Sequence, residues 1–286
     1  MENGFLNLLK PTGMTSFDVI RFLRRQLPFG KFGHSGTLDL AASGVLVIAC
    51  GAATKILPFL SSEKCYVFSV IFGLETETGD LWGRIMKHKE MKVSRSQIEN
   101  LLPQMIGQIE LPVPLFSAKH WHGQRMYQWA IQNQTLNYQP KQAIQVYELT
   151  LLDLNSGPPT TARLRMRCSH GTYVRAMAQR IGSLLQGYAC AGFLIRTQSG
   201  SFALNQSQPL SEIALGLAKW IDVKEALTHL PCVVLPDRWL RNFVNGQPVT
   251  WPETRANLVS VTDRGGQFLG MGRIYESLLK AERLYR

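Results

Sequence analysis

Carboxylates are scarce where this sequence is most basic. Between positions 18 and 63 the only acid is Asp39, and the windows 111–147 and 154–211 contain none. Without a dense acidic cluster there is no ligand set for a pair of catalytic magnesium ions, which argues against a two-metal nuclease or polymerase. Cysteine is sparse as well. Cys50, Cys65, Cys168, Cys190 and Cys232 are odd in number and form no Cys-x-x-Cys pair, so a disulfide framework or structural zinc is not expected. They read as buried thiols in a reducing cytoplasm. The longest weakly charged apolar run, 40–53, is broken by Ser43, Gly44 and Gly51 and is too short to cross a bilayer. No arginine-led apolar segment opens the chain, so a cytoplasmic protein without a membrane is expected. Gly-x-x-x-x-Gly-Lys-Ser/Thr, Gly-x-Gly-x-x-Gly, His-Glu-x-x-His and Pro-Cys-x-x-Cys are all missing. The expected chemistry therefore uses no metal and no cofactor.

What is present is positive charge in zones. The 286 residues carry a formal net charge of +11, with 45% hydrophobic and 18% charged residues, which describes a globular chain with a polyanionic partner. The window 154–211 holds Arg163, Arg165, Arg167, Arg175, Arg180 and Arg196. The window 111–147 interleaves Lys119, Arg125 and Lys141 with His120, His122, Trp121, Tyr127, Trp129 and Tyr138. One such window is commonly a solvated face. Several in one chain favour a nucleic-acid groove, and the aromatics favour RNA or flipped bases.

The coarse organisation is mixed α+β. Thr15-Ser16-Phe17-Asp18 opens a helix with Val19, Ile20, Phe22, Leu23 and Leu27 on one side, ended by Pro28 and Gly30. Residues 66–74 read as a buried strand. Thr161–Cys168 alternates, with its arginines on the face opposite Ala162, Leu164, Met166 and Cys168. Ser169-His170-Gly171 is a turn, and Thr172 is the expected cap of a helix that Gly187 closes, with Arg175 in its first turn off the buried stripe. After Leu230-Pro231 come short strands at 232–235, 258–262 and 267–273, with Asp263-Arg264-Gly265-Gly266 as a hairpin turn.

Against this background, Gly33-His34-Ser35-Gly36-Thr37-Leu38-Asp39 resembles the signature of the TruB family, the tRNA pseudouridine-55 synthases. Lys10-Pro11-Thr12-Gly13-Met14-Thr15-Ser16, Lys64-Cys65-Tyr66, Thr76-Glu77-Thr78-Gly79-Asp80 with Gly83, Ser117-Ala118-Lys119 and Gly171-Thr172-Tyr173-Val174-Arg175 follow in the family's order. The resemblance covers roughly residues 4–200. The tail is more weakly similar to the family's PUA-like RNA-binding domain. The implied fold is an extended mixed, mainly antiparallel sheet flanked by helices, as a catalytic domain over 1–229 with an RNA-binding arm near 119–145, then a small β-rich domain over 230–286.

The resemblance implies roles residue by residue. Asp39 is the expected nucleophile, either attacking C1′ or taking a sugar proton. Arg175 pairs with it, and Tyr66 stacks on the uracil. His34 holds open the disrupted RNA loop, and Tyr173 and Leu194 touch the flipped base. Lys10 and Lys119, within matched motifs, are further expected substrate-binding residues. Outside these motifs an isolated Asp is usually a turn residue, an Arg a surface charge and a Tyr core packing. The chain departs from the family pattern at Leu40, where proline is usual, at Ile195, at 130–133, and at Gln142. The implied partner is the T-arm of tRNA, acted on by a monomer without an obligatory protein partner. A guide-RNA-dependent relative and a non-catalytic tRNA-binding or folding protein are the alternatives.

Overall fold

The computed structural model describes residues 4–28, 30–117, 119–121, 123–131, 139–252 and 257–285. The first half forms β1 (Gly4–Lys10), α1 (Ser16–Gln26), β2 (Phe32–His34), β3 (Ser43–Cys50) and β4 (Lys64–Phe72). A hairpin of β5 (Leu74–Thr76) and β6 (Ile85–His88) follows, then α2 (Arg95–Leu101) and β7 (Gly107–Pro112). Next come the short hairpin β8 (His120–Trp121) and β9 (Gln124–Arg125), then α3 (Met126–Ile131), β10 (Lys141–Asn155), β11 (Thr161–Cys168), α4 (Val174–Leu184) and β12 (Ala189–Ser199). β13 (Phe202–Ala203), β14 (Gln208–Pro209), α5 (Leu210–Ala214) and α6 (Val223–Ala226) lead into the tail. The tail holds β15 (Cys232–Val234), α7 (Asp237–Val244), β16 (Val249–Thr250), β17 (Asn257–Thr262), β18 (Phe268–Tyr275) and β19 (Leu278–Leu284).

Ten strands make one sheet in the order β14-β1-β3-β12-β4-β11-β10-β7, with β2 beside β3 and β13 beside β12. Its parallel contacts are β1–β14 and β3–β12, so the sheet is mixed and mainly antiparallel, as the family resemblance implies. Alternation in β11 sends Ala162, Leu164, Met166 and Cys168 into a core shared with β4 and with Met177, Ala178 and Ile181 of α4. Burial of each large apolar side chain there is worth about 1.5–3 kcal/mol. Arg163, Arg165 and Arg167 do take the opposite face, but they do not form an open basic strip. They pair with Asp153 at 3.7 Å, Glu148 at 2.8 Å and Glu63 at 3.1 Å. The window around these arginines lacks acids in sequence, yet β10 and the start of β4 deliver acids to them in space.

The α1 capping box is complete. Thr15 Oγ1 accepts from Asp18 N at 3.0 Å and Thr15 N donates to Asp18 Oδ2 at 2.9 Å. Leu27, extended ahead of Pro28, ends the helix. Two expectations at α4 are corrected. Thr172 does not cap it, because its hydroxyl donates to Ser169 O at 2.9 Å and closes the turn instead. Past Leu184 the left-handed residue is Gln186 (φ 59°), while Gly187 serves close packing against Met91. Of the arm expected near 119–145, Lys141–Gln145 belong to β10 and pair with β7, so they are part of the main sheet.

The tail is a five-stranded sheet in the order β15-β17-β18-β19-β16, with its own core around Val233, Leu235, Phe243, Val259 and Ile274. Phe268 and Met271 of β18 enter a second core with Phe5, Val45, Val47 and Phe202, and so fasten the tail to the main sheet.

One glycine sets the seam that positions the site. Gly44 opens β3 with φ +108°, and a Cβ there would lie 2.3 Å from the Arg196 carbonyl oxygen of β12. Gly44→Ala is therefore expected to lower stability by about 2 kcal/mol or more, read as a reduced urea midpoint at unchanged m-value. A midpoint equal to wild type would contradict the tight seam.

Candidate active site

The loop between β2 and β3 carries Asp39 and is pinned from several directions. Leu38 N donates to Ser16 Oγ at 2.9 Å, at the start of α1. Gly13 N donates to Leu40 O and Ala42 N to Asp39 O, at 2.9 and 3.1 Å. Arg196 Nη2 donates to Gly36 O at 3.1 Å. Leu40 thus sits in a braced turn despite lacking the ring of proline.

α4 delivers Arg175 beneath the loop. Its Nε donates to Asp39 Oδ2 at 2.8 Å and its Nη2 to Asp39 Oδ1 at 3.0 Å, a bidentate fork that fixes the carboxylate plane. The same guanidinium donates to Thr78 O at 2.6 Å and Phe116 O at 2.9 Å. Asp80 Oδ2 lies 3.8 Å from Nε. Asp80 is itself held by Thr78 Oγ1 at 2.6 Å and Trp82 N at 3.0 Å. The Arg175 side chain is 4% exposed and that of Asp39 35%, so the cation is an internal strut and the carboxylate keeps an open face. Arg175 does occupy the first turn of α4, but it is buried, because the 76–80 turn and the 116 loop close over it.

Asp39 opens into a cavity of about 570 Å³ that His34, Tyr66, Tyr173 and Leu194 also line. Tyr66 comes from β4, and burial raises its phenol pKa while the Arg196 charge acts to lower it. Burial likewise raises that of Tyr173. The His34 pKa is lowered by burial and then by Arg196, and its buried Nδ1 has no hydrogen-bond partner among the described residues.

Two expected contact residues differ from the rest. Lys10 is fully buried, and its ammonium donates to Pro11 O at 2.8 Å and Met14 O at 2.5 Å, bracing the turn ahead of α1 rather than facing the cavity. Lys119 donates to Gln142 Oε1 and does not line the cavity. Ala118, His122, Gln132, Asn133 and Tyr138 lie outside the described residues. Two cavity residues have roles that sequence reasoning missed. Arg196 is 1% exposed, and Lys64 is 6% exposed with Nζ donating to Ser199 Oγ at 2.8 Å. Lys64 was visible only as the first residue of Lys-x-Tyr, and Arg196 only as a lone arginine after Ile195.

Burial makes these lysines pH-sensitive. Lys10 and Lys64 are both lowered from 10.5 to about 8, chiefly by desolvation. Below that value both the folded and unfolded chains carry the protons, and folding bears the whole cost of burying charge. Above it the unfolded chain binds more protons, so stability rises with pH. The thiols, whose ordinary value is 9.0, are raised to about 11 at Cys50, Cys168 and Cys190 and oppose this trend above pH 9. The urea midpoint should therefore climb between about pH 8 and 9, with a shallower climb in Lys64→Met. A midpoint falling across that window would contradict the account.

Among the described residues, no group of three or more His, Cys, Asp or Glu converges as a metal site, and no helix is long and apolar enough to cross a membrane. Comparison with known proteins places this geometry in a family. Residues 24–174 match the model of the TruB family pseudouridylate synthase N-terminal domain, and residues 231–285 match the C-terminal domain of pseudouridine synthase II TruB. The tRNA pseudouridine synthase B of Synechococcus sp. is 40% identical over 98% of this chain and 97% of its own length. The protein of that name from Acaryochloris marina is 36% identical over 97% of this chain and 96% of its own. A solved Cbf5-Nop10-Gar1 complex contains a chain that aligns with TM-score 0.74 at 21% identity, covering 100% of this chain and 85% of that one, a likeness of fold. By these matches the chain belongs to the TruB family of pseudouridylate synthases.

Proposed function

We propose that this protein converts a uridine of tRNA to pseudouridine, at position 55 in the T-loop, by flipping the base into the 570 Å³ cavity and using Asp39 at C1′. The observation that carries the reading is the fork of Arg175 on Asp39. It holds a half-open carboxylate in one orientation at the mouth of a cavity lined by Tyr66, Leu194 and Tyr173. A carboxylate so placed can attack C1′ or take the 2′ proton as the N1–C1′ bond opens. Tyr66 and Leu194 offer flat and apolar surface to the uracil, and the half-buried His34 imidazole at the cavity rim can occupy the gap left in the loop. Flipping a loop nucleotide costs a few kcal/mol. Stacking and phosphate contacts offset that cost, and exposed Arg24 and Arg25 on α1, which starts against the Asp39 loop, supply part of the latter.

In this reading residues 1–229 carry the chemistry and 230–286 form a PUA-like RNA-binding unit. Lys10 acts as a brace, and Lys119 reaches RNA only if it leaves Gln142. The chain acts as a cytoplasmic monomer without a guide RNA or protein partner. Incubation of the purified chain with an unmodified tRNA transcript, followed by carbodiimide treatment and primer extension, tests this. A single new stop marking position 55 is expected. A stop elsewhere would sink the positional assignment, and a requirement for an added guide RNA would favour the guide-dependent alternative.

A further inference from the structure

Lys64 and Arg196 line the same cavity but belong to none of the ion pairs around Asp39. Register explains why they meet. Arg196 on β12 lies beside Tyr66 on β4, and Ser199 lies beside Lys64. Lys64 and Tyr66 are two residues apart on one strand and so share a face. The hydrogen-bond acceptors of both cations are neutral: Val45 O and Gly36 O for Arg196, and Ser199 Oγ for Lys64. Among the described residues neither has a carboxylate within ion-pair distance. A Cβ on Gly36 would lie 3.7 Å from Arg196 Nη1 and 4.0 Å from Lys64 Cε, so the two side chains converge beneath the loop that carries Asp39. Two buried like charges without a counter-ion are costly to hold together, and a transient anion between them would be strongly favoured. The lowered pKa of Lys64, due to burial and then to Arg196, reports the same uncompensated positive field.

Resting on the pseudouridylation reading, we propose that Lys64 and Arg196 form an anion site for the uracil ring as it leaves the sugar. When C1′–N1 breaks, the bonding pair goes to the base, which becomes a planar anion with charge on N1, O2 and O4. C1′ gains a pair from an Asp39 oxygen, or from the C2′–H bond whose proton Asp39 takes. In either route the negative charge moves off Asp39 and onto the base. Arg175 serves the charge at its starting point, and Lys64 with Arg196 serves it after the transfer. When C5 closes on C1′, the base's pair forms the new bond, and Asp39 is either expelled from C1′ or, by the second route, returns its proton to C2′. N1 takes up a proton and C5 loses one, so the sum is an isomerisation without a co-reactant. Fixed charges in a buried site need no reorganisation at the moment of cleavage, which is where such groups contribute most.

The test compares leaving groups in the full-length protein. Lys64→Met keeps the stem and removes the charge. Its single-turnover rate on uridine tRNA should fall about tenfold or more. On tRNA carrying 5-fluorouridine at the target position, followed as loss of 5-fluorouridine from nuclease digests, the fall should be several-fold smaller. Fluorine acidifies the base, so its anion needs less help. The affinity for tRNA should hold. Equal slowing of both substrates, as a packing defect would give, or no slowing of either, would overturn the proposal. If Lys64→Met does not fold, Lys64→Gln, which can still bond Ser199, is read by the same criterion. Wild-type protein inert on uridine tRNA would instead sink the pseudouridylation reading, and this inference with it.

Discussion

Asp39→Asn is expected to lower turnover by about a thousandfold or more while tRNA affinity changes by less than about threefold. Asparagine has the same shape and can still accept from Arg175 through its one carbonyl oxygen, but it neither attacks C1′ nor takes a proton. The guanidinium is not stranded, because Thr78 O, Phe116 O and Asp80 remain around it. The loss of stability should therefore be about 1.5–3 kcal/mol, the range for a hydrogen bond to a charged group. Asp39 contributes no phosphate contact, so binding is spared. Retained turnover would remove Asp39 from the chemistry, and a collapse of tRNA affinity would assign it to docking instead.

Arg175→Met should damage both activity and fold. The side chain, 4% exposed, is bound to Asp39, Thr78 O and Phe116 O and stands 3.8 Å from Asp80. Removing it leaves two carboxylates and two carbonyls facing an apolar thioether. Breaking a buried pair by deleting one partner costs about 3–5 kcal/mol, and that is the expected loss in urea denaturation. Turnover should fall by at least about a hundredfold, because Asp39 loses the fork that fixes its plane. In the Asp39→Asn/Arg175→Met double variant the penalties should add to less than their sum, since both act through one contact. Strict additivity would mean that the pair is not a functional unit.

Much of the site could be read from sequence because its groups are local to short motifs. The stretch 33–39 brings His34 and Asp39 together on one loop, and Arg175 follows a glycine turn at the start of a helix. What surrounds them was less legible. Arg175 is completed by carbonyls of Thr78 and Phe116, 97 and 59 residues away, and any residue type can supply a carbonyl. Arg196 reads in the sequence only as one arginine of an acid-free basic window, because the phase of β12 is hidden. Irregularities between Ala191 and Leu194 and between Arg196 and Gln198 break its alternation, so the inward face cannot be counted from its ends. The burial of Lys10 is hidden in the sequence because a lysine is seldom buried, yet its own turn folds two carbonyls onto the ammonium. β11 follows from period-two patterning, whereas the large, mainly antiparallel sheet follows from the family resemblance. In the tail, the eight-residue helix α7 was missed, being too short for its periodicity to stand out.

The central claim is that Asp39, held by Arg175, isomerises a uridine in tRNA. Its most direct measurement is tritium release from [5-³H]uridine-labelled unmodified tRNA by the purified chain. The account predicts about one labelled proton released per tRNA, because C5 must shed its hydrogen once it bonds to C1′, and none with Asp39→Asn. Label fully retained by tRNA after long incubation with abundant wild-type protein would contradict it.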